Sequence, residues 1–206
     1  MQVSRISSVQ VSPDGKRVAF AAALPVMTEE ESQYLTQIYV GKTDGSGYYQ
    51  FTHGVKSSSS PQWSPDGAWL AFISERSGKS NIWLARADGG EACQLTDVKT
   101  GVGVFKWSPD GSRIAFVMQD PPDEKEEKAA RGKDDARIVD GDSKMSHLWI
   151  VPARRAEGKM PEMRRLTGGD FTLNVQYAGG FDWSPDGRKI VFTHTSGTSA
   201  DSWTLA

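Results

Sequence analysis

At 206 residues the chain can bury a substantial core, as one large domain or two small ones. Its 37% hydrophobic and 24% charged residues exclude wholesale disorder, and a formal net charge of −2 supplies no basic excess with which to hold nucleic acid. The single cysteine, Cys93, excludes an internal disulfide framework, and the longest apolar stretch, "VAFAAALPVM" (18–27), is too short to span a bilayer and is broken by Pro25, so no membrane partner is expected.

Read from the N-terminus, the first landmark is "SPDG" at 12–15, which returns at 64–67, 108–111 and 184–187, three times as "WSPDG". Serine, proline with its preset φ, aspartate and a glycine free to take positive φ make a tight turn. Each copy runs into a short strand of β-branched and aromatic residues, "RVAF" (17–20), "WLAF" (69–72), "RIAF" (113–116) and "KIVF" (189–192). An aromatic-led strand follows in three copies, "IYV" (38–40), "IWL" (82–84) and "LWI" (148–150), then a turn that carries Asp-Gly in the first two, then "QFT", "QLT" or "RLT". Tyr39 to Thr52 and Trp83 to Thr96 are both 13 residues; Trp149 to Thr167 is 18, a hairpin five residues longer.

The irregular spacing is concentrated between SPDG and the aromatic strand: 24 residues from Gly15 to Tyr39, 16 from Gly67 to Trp83 and 38 from Gly111 to Trp149. Segments of fixed length separated by one variable loop indicate a repeated unit with insertions on one face. Four short antiparallel strands repeated at this period make a β-propeller blade. The expected fold is all-β: an incomplete propeller of four-stranded antiparallel blades, about three and a half of them. Blade one covers about 1–56, blade two 57–99, blade three 100–170 with a charged insertion at 119–146, and a half blade four 171–206, where Trp203 stands 16 residues after Gly187 as Trp83 does after Gly67. Trp63, Trp107, Trp183, Phe72, Phe116 and Phe192 are assigned to the core between blades. Asp14, Asp66, Asp110 and Asp186 are assigned to turns, since the flanking proline and glycine account for them.

"RISSVQVSPDGKRVAF" (5–20), "GGEACQLTD" (89–97), the WSPDG copies and "RRLTGGDF" (164–171) resemble the SPDG-type repeats of TolB-like proteins and of the N-terminal propeller in the prolyl oligopeptidase family of serine peptidases. The likeness is greatest to acylaminoacyl-peptidase and dipeptidyl-peptidase-like members, and "DARIVDGD" (135–142) before "HLWIV" (147–151) adds to it. The resemblance implies a propeller without chemistry of its own, placed over a C-terminal α/β-hydrolase domain whose nucleophile sits in a G-x-S-x-G elbow. That elbow is missing: "GTSAD" (197–201) lacks the final glycine, and His53, His147 and His194 have no nucleophile signature beside them, so no catalytic residue is nominated in this chain. The resemblance implies a lid that admits peptides; the alternatives are a TolB-like scaffold for protein partners and, third, a propeller acting on glycans.

Two stretches are candidates for substrate contact. "MTEEESQY" (27–34) carries Glu30 and Glu31; dipeptidyl peptidases hold the substrate's ammonium group with propeller glutamates, and a carboxylate pair suits that charge. The segment 119–144, with nine acidic and six basic residues, reads as a solvated rim loop, or as a rim element narrowing substrate entry in which Arg137 meets a substrate carbonyl or carboxylate. One cysteine and three scattered histidines make no zinc site, and neither a metal nor a cofactor is expected. The expected partners are a peptide substrate through the parent enzyme, the hydrolase domain, and further copies of this chain joined through open blade faces. The expected compartment is the cytoplasm, or the periplasm if a signal segment precedes this sequence.

Overall fold

In the computed structural model residues 5–27, 32–121, 144–154, 159–173 and 180–196 are described. Among them there is no helix; every regular element is a strand. The first sheet is β1 (Arg5–Val11), β2 (Arg17–Met27), β3 (Ser32–Lys42) and β4 (Tyr48–Gln50); the second is β5 (Ser58–Trp63), β6 (Trp69–Ser74), β7 (Asn81–Arg86) and β8 (Cys93–Gln94). The third is β9 (Val104–Trp107), β10 (Arg113–Gln119), β11 (Ser146–Pro152) and β12 (Arg164–Arg165). Each has its four strands side by side in chain order, all antiparallel. A fourth unit shows β13 (Thr172–Leu173) with β16 (His194–Thr195), and β14 (Phe181–Trp183) with β15 (Ile190–Phe192). This is the all-β architecture of propeller blades. Trp203 lies outside the described residues.

Because strand side chains alternate between faces, each blade has a front and a back of different composition. The front is aromatic: Trp63, Leu70, Phe72 and Trp83 in blade two, Phe105, Trp107, Ile114, Phe116 and Trp149 in blade three. The back is small or aliphatic: Ala19, Ile38 and Val40 in blade one, Ala71, Ile73, Ile82 and Leu84 in blade two. Front packs into back, so the core is three separate clusters, one at each blade interface. Phe72, Phe105 and Phe116 have no exposed surface, and the partly buried Trp107, Trp183 and Phe192 pack against the same clusters. The assignment of the six aromatic residues to core therefore stands.

Polar contacts repeat across each interface. The indole of Trp63 donates to the Gln10 carbonyl at 3.2 Å, Trp107 to Gln62 at 3.2 Å and Trp183 to Lys106 at 3.4 Å. Arg17 lies over the Trp63 ring at 4.7 Å and donates to the carbonyls of Gly67 and Ala87 in the next blade. Arg113 repeats the arrangement over Trp183, donating to the Gly187 carbonyl at 3.3 Å. The SPDG turns also stack. A Cβ placed on Gly111, whose φ is +68°, would lie 3.3 Å from Pro65 Cδ, and at Gly67 and Gly187 the proline of the preceding turn is 3.6 Å away. Glycine is required there both by its φ and by its neighbour. Gly15 has nothing within 4 Å.

Blade one departs from the sequence expectation. The extra residues after Gly15 are mostly strand, not loop: β2 and β3 pair without interruption from Arg17↔Lys42 to Met27↔Ser32. Leu24↔Leu35, Pro25↔Tyr34 and Val26↔Gln33 extend the hairpin, whereas β6 and β7 stop after six residues. Continuous apolar and β-branched side chains let the ladder run on past the blade body.

Candidate functional site

In each SPDG turn the serine and aspartate are consumed locally. Ser108 Oγ donates to Asp110 Oδ1 at 2.6 Å and accepts the Arg113 amide at 3.0 Å, while the Ser112 amide and hydroxyl donate to the Asp110 carboxylate at 3.0 and 2.7 Å. The other three turns repeat the serine and amide contacts. All four carboxyls titrate below the ordinary aspartate range, chiefly because the serine hydroxyl bonds the ionised form, and Asp110 falls to about 2. These aspartates are turn residues and not a site.

The sign of their effect on stability follows. A carboxyl whose pKa is lower folded than unfolded stabilises the fold above the unfolded value, and that contribution is lost as pH falls through the folded one. For Asp110 it is present above about pH 4 and drains away on approach to about 2. Carboxyl NMR should show Asp110 titrating last of the four, and Ser112→Ala should raise its midpoint toward the others; an unchanged midpoint would remove the Ser112 hydroxyl from the cause.

A second repeated network lies where the aromatic strand begins. Thr52 Oγ1 accepts the Ile38 amide at 2.9 Å and donates to Gln37 Oε1 at 2.7 Å. Thr96 Oγ1 accepts the Ile82 amide at 2.9 Å and donates to Asn81 Oδ1 at 2.9 Å. Thr167 Oγ1 accepts the Leu148 amide at 3.0 Å, with His147 in the place of the amide side chain. These residues pin the end of the fourth strand to the third, and sequence reasoning used the threonines only as rulers. Thr96→Val keeps the shape but leaves a buried amide and Asn81 short of a partner; the expected cost is about 1–3 kcal/mol by urea unfolding.

Glu30, Glu31 and Arg137 lie outside the described residues. What the structure describes is the strands that carry them. β2–β3 and β10–β11 are both second-to-third-strand connections, the one that Glu75–Ser80 makes in blade two. Extended hairpin, short turn and long insertion therefore leave the propeller by the same rim, opposite the SPDG turns. Elsewhere, an open cleft of about 510 Å³ on blade one is bordered by Lys16, Lys42, Tyr48 and Tyr49. Its Asp44 is committed to the Ser46 amide at 2.8 Å. Among the described residues no three His, Cys, Asp or Glu side chains are grouped to hold a metal.

A family model described as the TolB beta propeller domain matches residues 4–141. The chain belongs to the TolB beta propeller domain family. Over 73 residues this TolB-type propeller is 40% identical to the uncharacterized peptidase YuxL of Bacillus subtilis, a match covering 35% of this chain and 11% of that protein. Over 83 residues it is 32% identical to dipeptidyl-peptidase 5 of Porphyromonas gingivalis, covering 40% of this chain and 12% of the peptidase. The matched stretch thus spans about a tenth of each relative's length. Among solved structures, a puromycin-hydrolyzing peptidase of Mycobacterium tuberculosis superposes with a TM-score of 0.62 at 16% identity, over 93% of this chain and 28% of that one. That likeness is one of fold.

Proposed function

We propose that this TolB-type propeller is the non-catalytic, gating part of a serine peptidase. The observation that carries the reading is the pair of curated relatives, both peptidases and both far longer than the matched stretch. The geometry is compatible with it: serine and aspartate side chains are spent in turns, and the two largest length differences, in blades one and three, fall on the same second-to-third-strand connection. In repeat architectures such insertions form the working face. Glu30 and Glu31 on the blade-one connection, and Arg137 on the blade-three insertion, are the groups proposed to meet a peptide's amino terminus and carbonyl there. The partner is an α/β-hydrolase domain, and the compartment is the cytoplasm.

The gene is expected to encode that domain, with a G-x-S-x-G elbow, after Ala206. In the full-length enzyme, deleting 121–142 should change the ratio of kcat/KM for short and long peptides, and Glu30→Gln with Glu31→Gln should raise KM for substrates with a free amino terminus. Unchanged selectivity in both would end the gating reading. A scaffold for protein partners is the second reading, supported by the family itself; a gene that stops after further blades, with no hydrolase domain, would establish it over the first.

The open faces bear on partners. Val11 and Tyr48 on blade one and Val191 on blade four are 58%, 73% and 70% exposed, although their counterparts elsewhere pack against a neighbouring blade. We propose that further blades cover them, from the longer gene product or from a second copy, and light scattering on the chain alone distinguishes a self-assembled ring from a monomer.

A further inference from the structure

Blades one and two place a buried amide side chain immediately before the aliphatic residue that leads the aromatic run, Gln37 in the middle of β3 and Asn81 at the start of β7; blade three places His147 there, near the start of β11. The ring is 1% exposed. Nδ1 is 3.1 Å from Asp120 Oδ1 and 2.8 Å from Arg165 Nη2, and Nε2 is 3.3 Å from the Gly169 carbonyl. Arg165 is held independently, donating from Nε to the Thr167 carbonyl at 2.7 Å and from Nη2 to Asp120 Oδ2 at 3.2 Å.

Nδ1 carries either a lone pair or a proton, so it cannot serve both neighbours at once. With the ring neutral and its hydrogen on Nε2, Nδ1 accepts from Arg165 and Nε2 donates to Gly169. With the ring protonated, Nδ1 donates to Asp120 and Nε2 keeps Gly169. Neither state strands a buried polar atom, which is the condition for a two-state element biased by one proton. Asp120 and His147 flank the 121–146 insertion. Its base is closed by the pairs Met118↔His147 and Gln119↔Ser146 and by the Asp120 amide donating to the Met145 carbonyl at 3.0 Å.

We propose that His147 is a proton-operated clamp at the base of the blade-three insertion, exchanging Arg165 for Asp120 as its Nδ1 partner when it takes up a proton. The charged and titratable groups around it are Asp120 at the end of β10 and Arg165 on β12. Beyond them come Asp170 beside Gly169, His194 on β16 across the Phe171 ring, and Lys144, whose Nζ donates to the Pro121 carbonyl at 2.9 Å. Protonation places the Asp120 carboxylate between two cations and fastens the base; deprotonation leaves it to Arg165 alone. The clamp is a property of this chain and does not depend on the peptidase reading.

The test is hydrogen exchange at the Asp120 amide, corrected for intrinsic rate, with ring-nitrogen NMR of His147 from pH 8 to 5. Acidification should raise Asp120 protection by roughly tenfold, the size of one added charge-assisted hydrogen bond, while Nδ1 passes from acceptor to protonated. His147→Asn, which installs blade two's residue, and Asp120→Asn should each flatten the profile. A ring that keeps one state across the range in the unaltered chain, or an equal slope in either variant, overturns the proposal.

Discussion

Replacing Phe116 with alanine is expected to destabilise the chain by about 3–5 kcal/mol, the range for emptying an aromatic site in a close-packed core. Phe116 has no exposed surface; it stands on β10 between Phe105 and Trp149 and faces the back of blade two. Its partners come from two sheets whose backbones are fixed by their own ladders, so the space left behind cannot close by a local shift. The measurement is the urea midpoint at unchanged m-value. Val191→Ala, on an open face, is the control and should stay within about 0.5 kcal/mol. A loss below about 1.5 kcal/mol for Phe116→Ala would mean that blades two and three are not held together by this cluster.

Trp63→Ala is expected to cost a similar amount, about 3–5 kcal/mol, through a different set of contacts. Trp63 fills the interface of blades one and two, donates its indole N–H to the Gln10 carbonyl, and carries the Arg17 guanidinium on its ring. Arg17 in turn bonds two carbonyls of blade two. Alanine therefore removes apolar contact, one hydrogen bond and a cation–π contact, and releases Arg17 from its guide. Trp63→Phe retains most of the volume and isolates the hydrogen bond, for which about 1 kcal/mol is expected. A phenylalanine variant as damaged as the alanine one would make the indole N–H, and not packing, the dominant contribution.

Much of this fold is legible in the sequence because turn chemistry and strand period agree. SPDG marks each first turn, and the residues flanking it alternate with the period of a half-buried strand. Blade one's hairpin was less legible. Leu24, Pro25 and Val26 lie next to an acidic cluster that reads as loop, and only pairing with Leu35, Tyr34 and Gln33 makes them strand. The polar positions were least legible. Gln37, Asn81 and His147 differ in type but share one place just before the aromatic run; what unites them is a bond to a residue 15 or more positions away, Thr52, Thr96 and Asp120 in turn. Pairwise hydrogen bonding across a sheet leaves no period to count. The nominated contacts Glu30, Glu31 and Arg137 came from a likeness between families and from charge, neither of which specifies where a side chain ends up.

The proline-on-glycine contact that recurs from turn to turn makes this molecule a row of nearest neighbours. Among the described residues, each SPDG proline from Pro13 to Pro109 lies on the glycine of the following turn. Such a row frays from a unit with a neighbour on one side only, because its resistance is a sum of nearest-neighbour couplings. β1, exposed along its whole length, with Gly15 beside it uncovered by any proline, is the place where fraying begins. A proline seated over Gly15 by a further blade would give this first turn the cover that Gly67, Gly111 and Gly187 already have.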